Sequence, residues 1–289
     1  TKVKCIKKIC CDSKIFLKKF LDFRNYNNDW DEWIKYCTRV KEKYKLENEK
    51  KFNFKGKIKH FELVKNLSKY LPKNSLIATG SSGLSIEQFY TFFENRSKQR
   101  IFLTSGLGSM GFGLPAAIGA YFASKKKLFL IEGDGSFQLN LQELAVISEF
   151  KIPICIIIFN NNGYASIRNT QKNYFNNRFC GTGPEANLSF PNLKNISKAY
   201  KISYLKIDDR KNLYKLKNIF VRNSKPIIID VSLLENEILS PKVSSIITKD
   251  GKIKSLPLED MSPFLPIKEL KKIMQGKISK VSMLIRKNG

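Results

Sequence analysis

The fold of this chain is decided by two stretches, LFLIEGDGSFQLN at residues 128–140 and PICIIIFNNNGYAS at residues 153–166. Each stretch begins with an apolar run and ends in a polar loop that contains glycine. Continuous apolar runs of this length are typical of strands that helices cover on both faces of a parallel sheet. On either side, further apolar runs alternate with segments of helical periodicity. The pattern predicts an α/β fold, a doubly wound and mostly parallel sheet with helices on both faces.

The predicted elements follow one another in a regular order between residues 59 and 231. We expect strands at 75–79, 101–104, 127–132, 153–160, 202–207 and 226–231. We expect helices at 59–71, 84–94, 110–123, 140–149, 191–200 and 210–222.

Two helices are predicted before this region, at residues 13–22 and 29–46, with Ser13 and Asp29 as candidate N-caps. The polar stretch ENEKKFNFKGK at residues 47–57 follows them and has the composition of a linker. A domain boundary near residue 50 is therefore expected.

The charge is strongly positive, with 52 Lys and Arg against 25 Asp and Glu, a formal net charge of +27. A basic chain of this kind could bind nucleic acid by neutralising phosphates. However, the lysines are spread from Lys2 to Lys287, and no zinc-finger, homeodomain or ribonucleoprotein motif is present. We therefore expect no nucleic-acid partner.

The cysteines and the apolar runs bear on the compartment. The six cysteines form no CxxC pair, which predicts neither a zinc site nor a disulfide framework and fits a reducing cytoplasm. Cys155, inside PICIIIF, is expected in the core. No apolar run reaches the 18 to 20 or so residues that span a bilayer, and no signal peptide opens the chain. We expect a soluble, cytoplasmic protein without a membrane partner, and interpret the start at Thr1 as that of a fragment.

The two polar loops carry candidate ligands for a magnesium ion. Asp134 and Asn161 lie twenty-seven positions apart, a distance that holds one helix and one strand, so both should emerge at the same edge of the sheet. The Asp134 carboxylate, the Asn161 amide oxygen and the Gly163 carbonyl would supply three oxygens to Mg²⁺, and a diphosphate and water the rest. Each loop could also be a plain Asp-Gly or surface turn, but the two together favour a cation site.

The glycines of the first loop favour an anion beside the cation. Gly133 and Gly135 allow the backbone to approach phosphate closely. The N–H groups of Gly135 and Ser136 precede a predicted helix, whose amino end attracts negative charge.

These residues carry a family resemblance. GDGS followed by NN at this distance resembles the cofactor motif of thiamine-diphosphate-dependent enzymes, and FLTSGLGSMGFGLPAAIGA at residues 102–120 resembles the corresponding segment of acetolactate synthases. The similarity extends over about residues 60–235. It implies the thiamine-diphosphate-binding fold, with residues 1–50 as the end of a central domain and linker, 51–235 as the diphosphate- and magnesium-binding domain, and 236–289 as a C-terminal extension.

The resemblance also implies roles for individual residues. Asp134, Asn161 and Gly163 match the metal ligands. Met110 matches the apolar residue that props the cofactor in its bent shape, and Gly108 matches the carbonyl that accepts a hydrogen bond from the cofactor's 4'-amino group. The cofactor-binding set implied in full is Ser81, Gly108, Ser109, Met110, Gly133, Gly135, Ser136, Asn161, Gly163, Tyr164 and Ala165.

The activity implied by the resemblance is decarboxylation of a 2-oxo acid such as pyruvate, with ligation to an acceptor carbonyl. Its cofactors would be thiamine diphosphate and Mg²⁺; FAD is possible in the family but this segment does not support it. The family's activating glutamate belongs to a pyrimidine-binding domain that we do not find in this chain. We therefore expect no catalytic residue of that kind here, and a pyrimidine-binding domain or second subunit as partner in a homodimer or tetramer.

Several alternatives stay open at this point. The motifs also fit a simple 2-oxo acid decarboxylase, a sugar or aldehyde carboligase, and a non-catalytic cofactor-binding subunit. The segment from Tyr164 to Gln171 departs from the family's aromatic-rich segment, which leaves the acceptor substrate open. Gly106, Gly108 and Gly111 spell GxGxxG before Glu132, a dinucleotide motif that would leave GDGS and NNNG unexplained. His60 is the sole histidine, and we expect it to have a structural role on a surface helix.

Overall fold

The computed structural model describes residues 7–22, 29–44, 57–81, 83–247 and 253–286. The chain divides into two compact units, residues 1–53 and residues 54–289. The first unit contains helices α1 (Ser13–Asp22) and α2 (Asp31–Lys43), neither of which has a buried residue. The expected boundary near residue 50 and the linker before residue 57 lie outside the described residues.

The second unit is built on a parallel sheet. Six of the described strands form it, in the spatial order β2-β1-β3-β4-β6-β5, and each pairs with its neighbours in parallel. The strands are β1 (Leu76–Thr79), β2 (Arg100–Phe102), β3 (Leu128–Gly133), β4 (Ile154–Asn160), β5 (Ser203–Ile207) and β6 (Ile227–Ser232). The expected doubly wound α/β architecture is confirmed.

Helices cover both faces of this sheet. Those described between residues 60 and 222 are α3 (His60–Tyr70), α4 (Leu84–Phe92), α5 (Gly113–Ser124), α6 (Asp134–Phe137), α7 (Leu144–Glu149), α8 (Ala165–Tyr174), α9 (Leu193–Ala199) and α10 (Lys215–Arg222). Apolar side chains of α3, α4 and α10 pack on one face, and those of α5, α7 and α9 pack on the other.

Strand β4 shows why its sequence is apolar throughout. Ile157 and Phe159 point into the core under α3 and α4, whereas Ile156 and Ile158 point into the core under α5 and α7. All four are fully buried, and Cys155 is buried with them, as expected. Burying one such large apolar side chain contributes roughly 1.5–3 kcal/mol. Because both faces are covered, the strand has no position at which a polar side chain would reach solvent before its end.

The chain beyond β6 turns back along the carboxyl edge of the sheet. The N–H of Leu233 donates to the Asn160 carbonyl at 2.7 Å, and the N–H of Leu234 donates to the Ile58 carbonyl at 2.9 Å. Further on are the antiparallel strands β7 (Ser245–Ile247) and β8 (Ile253–Ser255), followed by α11 (Ile267–Ile273) and α12 (Lys280–Arg286).

Several of the predicted helices are shorter than expected; the one at 210–222, for example, is α-helical only over Lys215–Arg222. The predicted helix at 110–123 begins only at Gly113, because Gly111 has a φ of +81°. Of the predicted helix at 140–149, only Leu144–Glu149 is α-helical. Residues 138–143 form a 3-10 turn in which Asn140 has a non-helical φ of −137°. The cause is tertiary, since Asn140 Nδ2 donates to the Gly111 carbonyl at 2.8 Å.

Helix α8 was not predicted, and neither was the hairpin of β7 and β8. Among the described residues, none of the helices combines the length and the apolar composition that crossing a membrane would need.

Candidate functional site

The loops that follow β3 and β4 meet at the carboxyl edge of the sheet. The two strands are direct neighbours, and Gly133 at the end of β3 lies opposite Phe159 of β4. Asp134 therefore leaves the sheet beside Asn161 in the neighbouring loop, as expected for parallel strands joined by a helix. In such sheets ligands bind outside the carboxyl ends of the strands.

The Asp134 carboxylate ties these two loops together. One of its oxygens, Oδ1, accepts the N–H of Gly135 at 2.9 Å, and the other, Oδ2, accepts the N–H of Gly163 at 2.9 Å. The side chain is almost wholly buried. Burial raises the pKa of Asp134 to about 7, although the N–H donors of Gly163 and Gly135 oppose the shift. A cation beside this carboxylate would favour its charged form.

The Asn161 amide is buried and only partly satisfied. Its Oδ1 has no hydrogen-bond partner among the described residues, while its Nδ2 lies 3.5 Å from His60 Nε2. Leaving a buried acceptor unpaired costs roughly 1–3 kcal/mol. An amide oxygen with a free lone pair is a ligand that Mg²⁺ accepts. The residues present therefore fit a small hard cation.

Gly163 allows the second loop its sharp turn. The residue has a φ of +139°, and a Cβ built on it would lie 2.1 Å from the Thr182 carbonyl oxygen. The neighbouring N–H of Tyr164 donates to the same carbonyl at 2.7 Å. No side chain larger than hydrogen fits there, so the glycine is required by packing against the 181–183 loop.

The first loop is held from two sides. A Cβ on Gly135 would lie 2.4 Å from a ring carbon of Tyr164, so the loop packs on the start of α8. The Ser136 hydroxyl accepts the N–H of Gly111 at 2.8 Å, which ties the loop to the segment before α5. The N–H of Gly135, expected to face an anion, here donates to Asp134.

The remaining predicted cofactor residues lie on neighbouring loops of the same edge. Gly108 has a φ of +67° and approaches Ser81, whose hydroxyl oxygen is buried without a partner among the described residues. Ser109 is exposed, and Met110 exposes 41% of its surface. Ala165 is buried at the first position of α8. Contacts thus join loop 80–81 to loop 106–111, loop 106–111 to loop 133–136, and loop 133–136 to loop 161–163.

His60 is not on the surface, and the expected position was wrong. The residue is fully buried at the start of α3, although its helix also has exposed positions. Its Nδ1 lies 2.9 Å from Glu237 Oε2, and its Nε2 is the atom that faces the Asn161 amide. Periodicity alone could not show this, because Glu237 lies 177 positions away.

Arg168 is a second residue that sequence reasoning missed. Its guanidinium is buried in helix α8 and donates to Glu185 Oε1 at 2.9 Å, to the Glu235 carbonyl at 2.8 Å and to the Asn162 carbonyl at 3.0 Å. Its Nη2 also lies 3.3 Å from the Thr182 carbonyl. One side chain therefore joins three segments around the predicted metal loop. No clear signal in the sequence pointed to this role, because one partner of Arg168, the Glu235 carbonyl, lies 67 positions away.

Glu132 is a buried carboxyl under these loops. A Cβ on Gly80 or Gly113 would lie 2.1 Å or 2.3 Å from its carboxyl oxygens, so both glycines make room for it. Burial raises the pKa of Glu132 to about 7, while hydrogen bonds from Ser136, Gly133 and Gly113 lower it. The side chain is packed under the backbone of Gly80 and Gly113, where a ribose would not reach it.

A cavity of about 530 Å³ opens beside the Asp134 loop. Asp230 of β6 lies in its wall and accepts hydrogen bonds from Asn160 Nδ2 at 2.9 Å and from the Tyr204 hydroxyl at 2.8 Å. Among the described residues, no three His, Cys, Asp or Glu side chains are grouped so that they could hold a metal. A magnesium site here would have one carboxylate, with amide and carbonyl oxygens.

Comparisons with known proteins show which family this chain resembles. The family model of the thiamine pyrophosphate enzyme C-terminal TPP binding domain matches residues 78–231. The acetolactate synthase large subunit of Lactococcus lactis is 28% identical over 248 residues, which is 85% of this chain and 41% of that protein. The large subunit of Porphyra purpurea is 34% identical over 154 residues, 53% of this chain and 26% of that protein.

A solved structure shares the fold. The thiamine diphosphate-dependent 4-hydroxybenzoylformate decarboxylase of Rhodococcus jostii RHA1 superposes with a TM-score of 0.56 at 20% identity, over 65% of this chain and 35% of that chain. This chain spans about two fifths of the length of the Lactococcus relative. The matched family model covers more than half of the 289 residues and includes the Asp134 and Asn161 loops. The chain therefore belongs to the thiamine pyrophosphate enzyme family, of which it carries the C-terminal TPP-binding domain.

Proposed function

We propose that this chain is the diphosphate- and magnesium-binding part of an enzyme that decarboxylates a 2-oxo acid, such as pyruvate, and ligates the product to an acceptor carbonyl. The observation that carries the proposal is the unpaired, buried Oδ1 of Asn161, in the loop that Asp134 binds through Gly163. The acetolactate synthase relatives support the reaction class.

The metal ligands proposed are the Asp134 carboxylate, the Asn161 amide oxygen and the Gly163 carbonyl. Asp134 contributes the negative charge, and its hydrogen bond from the Gly163 N–H keeps the two loops in register. Asn161 contributes a neutral oxygen that no described protein group competes for. One carboxylate with neutral oxygens leaves positive charge on Mg²⁺ to attract a diphosphate.

The surrounding loops would hold the rest of thiamine diphosphate. We assign Gly133, Gly135 and Ser136 to the diphosphate, with the unpaired hydroxyl of Ser81 beside them. Gly108, Ser109 and Met110 would contact the rings, and Tyr164 and Ala165 border the metal loop. When bound there, thiamine diphosphate would supply the electron sink that decarboxylation of a 2-oxo acid needs. The protein supplies position and a dry, polar surrounding.

A pyrimidine-binding domain is the partner we propose, as a separate polypeptide or as part of a longer chain. Apolar side chains are exposed beside the site: Leu107 exposes 88% of its surface, and Met110 and Leu139 are exposed next to it. Exposed apolar residues clustered at a site mark a surface that another domain covers. The partner would bring the activating glutamate, and the assembly would be a homodimer or tetramer.

The cofactor assignment is tested by titrating thiamine diphosphate into the chain in Mg²⁺ and in EDTA by calorimetry. We expect binding that requires the metal and that Asp134→Ala abolishes, whereas Asp208→Ala, an exposed carboxylate beyond β5, leaves it unchanged. Binding that is equal in EDTA, or equal in the Asp134→Ala variant, would contradict the assignment.

The reaction is tested with pyruvate and a panel of acceptor carbonyls, with and without an added pyrimidine-binding domain. We expect turnover only in the presence of that domain, and 2-hydroxy ketone products. Aldehyde as the sole product would show a simple decarboxylase, and products from sugar acceptors alone would show a different carboligase. Cofactor binding without turnover in any combination would show a non-catalytic subunit.

A further inference from the structure

A chain of three side chains, two of them buried, leads from the segment after β6 to the predicted metal loop. Glu237 Oε2 lies 2.9 Å from His60 Nδ1, and His60 Nε2 lies 3.5 Å from Asn161 Nδ2. His60 is fully buried and Asn161 nearly so. The imidazole also packs against the Phe159 ring, with 6.0 Å between the ring centroids. The contacts hold the ring between a carboxylate and an amide.

The fold brings these distant residues together through backbone pairing. Leu233 bonds to Asn160 and Leu234 to Ile58, so the segment after β6 runs between the end of β4 and the start of α3. Three residues later, Glu237 meets the first residue of that helix. Its Oε2 accepts the backbone N–H of His60 at 3.0 Å as well as facing the ring.

Other side chains hold the same segment in place. Asn169 Nδ2 donates to the Glu237 carbonyl at 3.2 Å, Gln88 Nε2 donates to the Ile238 carbonyl at 3.2 Å, and Arg168 donates to the Glu235 carbonyl. The Glu237 carboxylate is therefore presented to His60 by a backbone that is anchored before and after it. The arrangement is built into the fold.

The contacts of the ring nitrogens favour one tautomer of His60. A carboxylate oxygen accepts hydrogen bonds and Glu237 Oε2 faces Nδ1, so the tautomer with its proton on Nδ1 gives this contact a donor. In a neutral imidazole the other nitrogen, Nε2, is then an acceptor. An acceptor at Nε2 favours the NH₂ of Asn161 as its neighbour and disfavours the oxygen, because two lone pairs would face each other.

We propose that His60, held by Glu237, is a positioning residue that orients the Asn161 amide and so leaves Oδ1 free to bind the cation. The inference rests on the proposed function, because it assigns a purpose to the free oxygen. An asparagine amide has two nearly isosteric orientations, and only a neighbour that distinguishes NH₂ from oxygen selects one. Outer partners of this kind preorganise a metal ligand before the metal arrives.

The tautomer can be measured directly, because His60 is the only histidine of the sequence. A chain labelled with ¹⁵N in histidine gives the ring nitrogens of a single imidazole in a long-range ¹H–¹⁵N correlation spectrum. We expect a protonated Nδ1 and an unprotonated Nε2 in the metal-free chain. A proton on Nε2, in the other tautomer or in a doubly protonated ring, would overturn the inference, since Nε2 could then not accept from Asn161.

The effect on the metal is tested with two substitutions at the same position. His60→Leu removes the acceptor, whereas His60→Gln restores an acceptor oxygen on a side chain of similar reach. We measure the Mg²⁺ concentration that half-saturates thiamine diphosphate binding. The loss of an outer partner typically weakens a metal site about 10- to 100-fold. We expect a weakening of this size for His60→Leu and a clearly smaller one for His60→Gln.

A destabilised variant far from the site separates positioning from general loss of stability. Phe220 of α10 is buried in the core, and Phe220→Leu should lower the melting temperature without changing the Mg²⁺ requirement. The inference is overturned if Phe220→Leu weakens Mg²⁺ binding as much as His60→Leu does, or if His60→Leu does not weaken Mg²⁺ binding. The proposed function would stand in either case. If the unsubstituted chain shows no Mg²⁺-dependent binding, the proposed function fails and the inference fails with it.

Discussion

Replacing Arg168 by methionine should cost the chain a large part of its stability, although the residue is not a proposed ligand. The guanidinium donates to Glu185 Oε1 and to the backbone carbonyls of Asn162, Thr182 and Glu235. Methionine fills much of the same volume but donates no hydrogen bond. The four acceptors of Arg168 would then face an apolar side chain.

The magnitude follows from these contacts. Four hydrogen bonds at about 1 kcal/mol each sum to roughly 4 kcal/mol. Removing one partner of a buried ion pair costs about 3–5 kcal/mol, which agrees with the sum. The Glu185 side chain is 31% exposed and can regain water, so the lower half of the range, about 3–4 kcal/mol, is expected. The free energy of unfolding of a domain is about 5–15 kcal/mol, so the variant should still fold.

Urea unfolding followed by circular dichroism measures the difference. Arg168→Lys keeps the charge and some of the donors, so we expect it to lose about half as much as Arg168→Met. Arg178 is exposed, and Arg178→Met controls for the loss of one positive charge from a very basic chain. If the unfolding free energies of Arg168→Met and Arg178→Met differ by less than about 1 kcal/mol, the bonding described for Arg168 does not hold the loops together.

Two further predictions concern residues around the same loops. Burial raises the pKa of Glu132 from 4.5 to about 7; the folded state therefore binds the proton more tightly than the unfolded state, and the unfolding free energy falls as the pH rises from about 4.5 to about 7. In urea unfolding of the metal-free chain, Glu132→Gln should make this decrease in unfolding free energy smaller by on the order of 3 kcal/mol. The part of the decrease that is due to Asp134 should remain. An unchanged pH dependence in the variant would refute this prediction. Gly163→Ala combines a φ of +139° with a Cβ placed 2.1 Å from the Thr182 carbonyl oxygen, so it should lose more than about 3 kcal/mol and much of its Mg²⁺-dependent cofactor binding; an alanine variant that melts at the temperature of the unsubstituted chain would show that the loop can move aside.

Local sequence was sufficient for the strands and for the two polar loops. LFLIE and PICIIIF are apolar at every or nearly every position because each strand packs on two layers of helices, and that requirement is visible in a window of a few residues. The loops after them carry Asp134 and Asn161, which parallel pairing of β3 and β4 necessarily brings to one edge.

Helix boundaries were less well predicted, since contacts across the fold modify them. The pattern at 140–149 is amphipathic, yet Asn140 leaves the helical conformation to donate to the Gly111 carbonyl. The sequence YASIRNTQ lacks a clear apolar face, so α8 was missed, although Arg168 holds it by polar contacts.

The sequence by itself determined the fold class, the order of most elements and the loops that carry the proposed ligands, because these depend on residues close together in the chain. Only the tertiary structure decided that β6 lies between β4 and β5, and that the segment after it meets the start of α3. His60, Asn161 and Glu237 come together through that pairing, across 101 and 177 positions of sequence. The side-chain period of a strand or helix has no information about such distances, since the partner of a buried polar group is determined by where the whole chain returns.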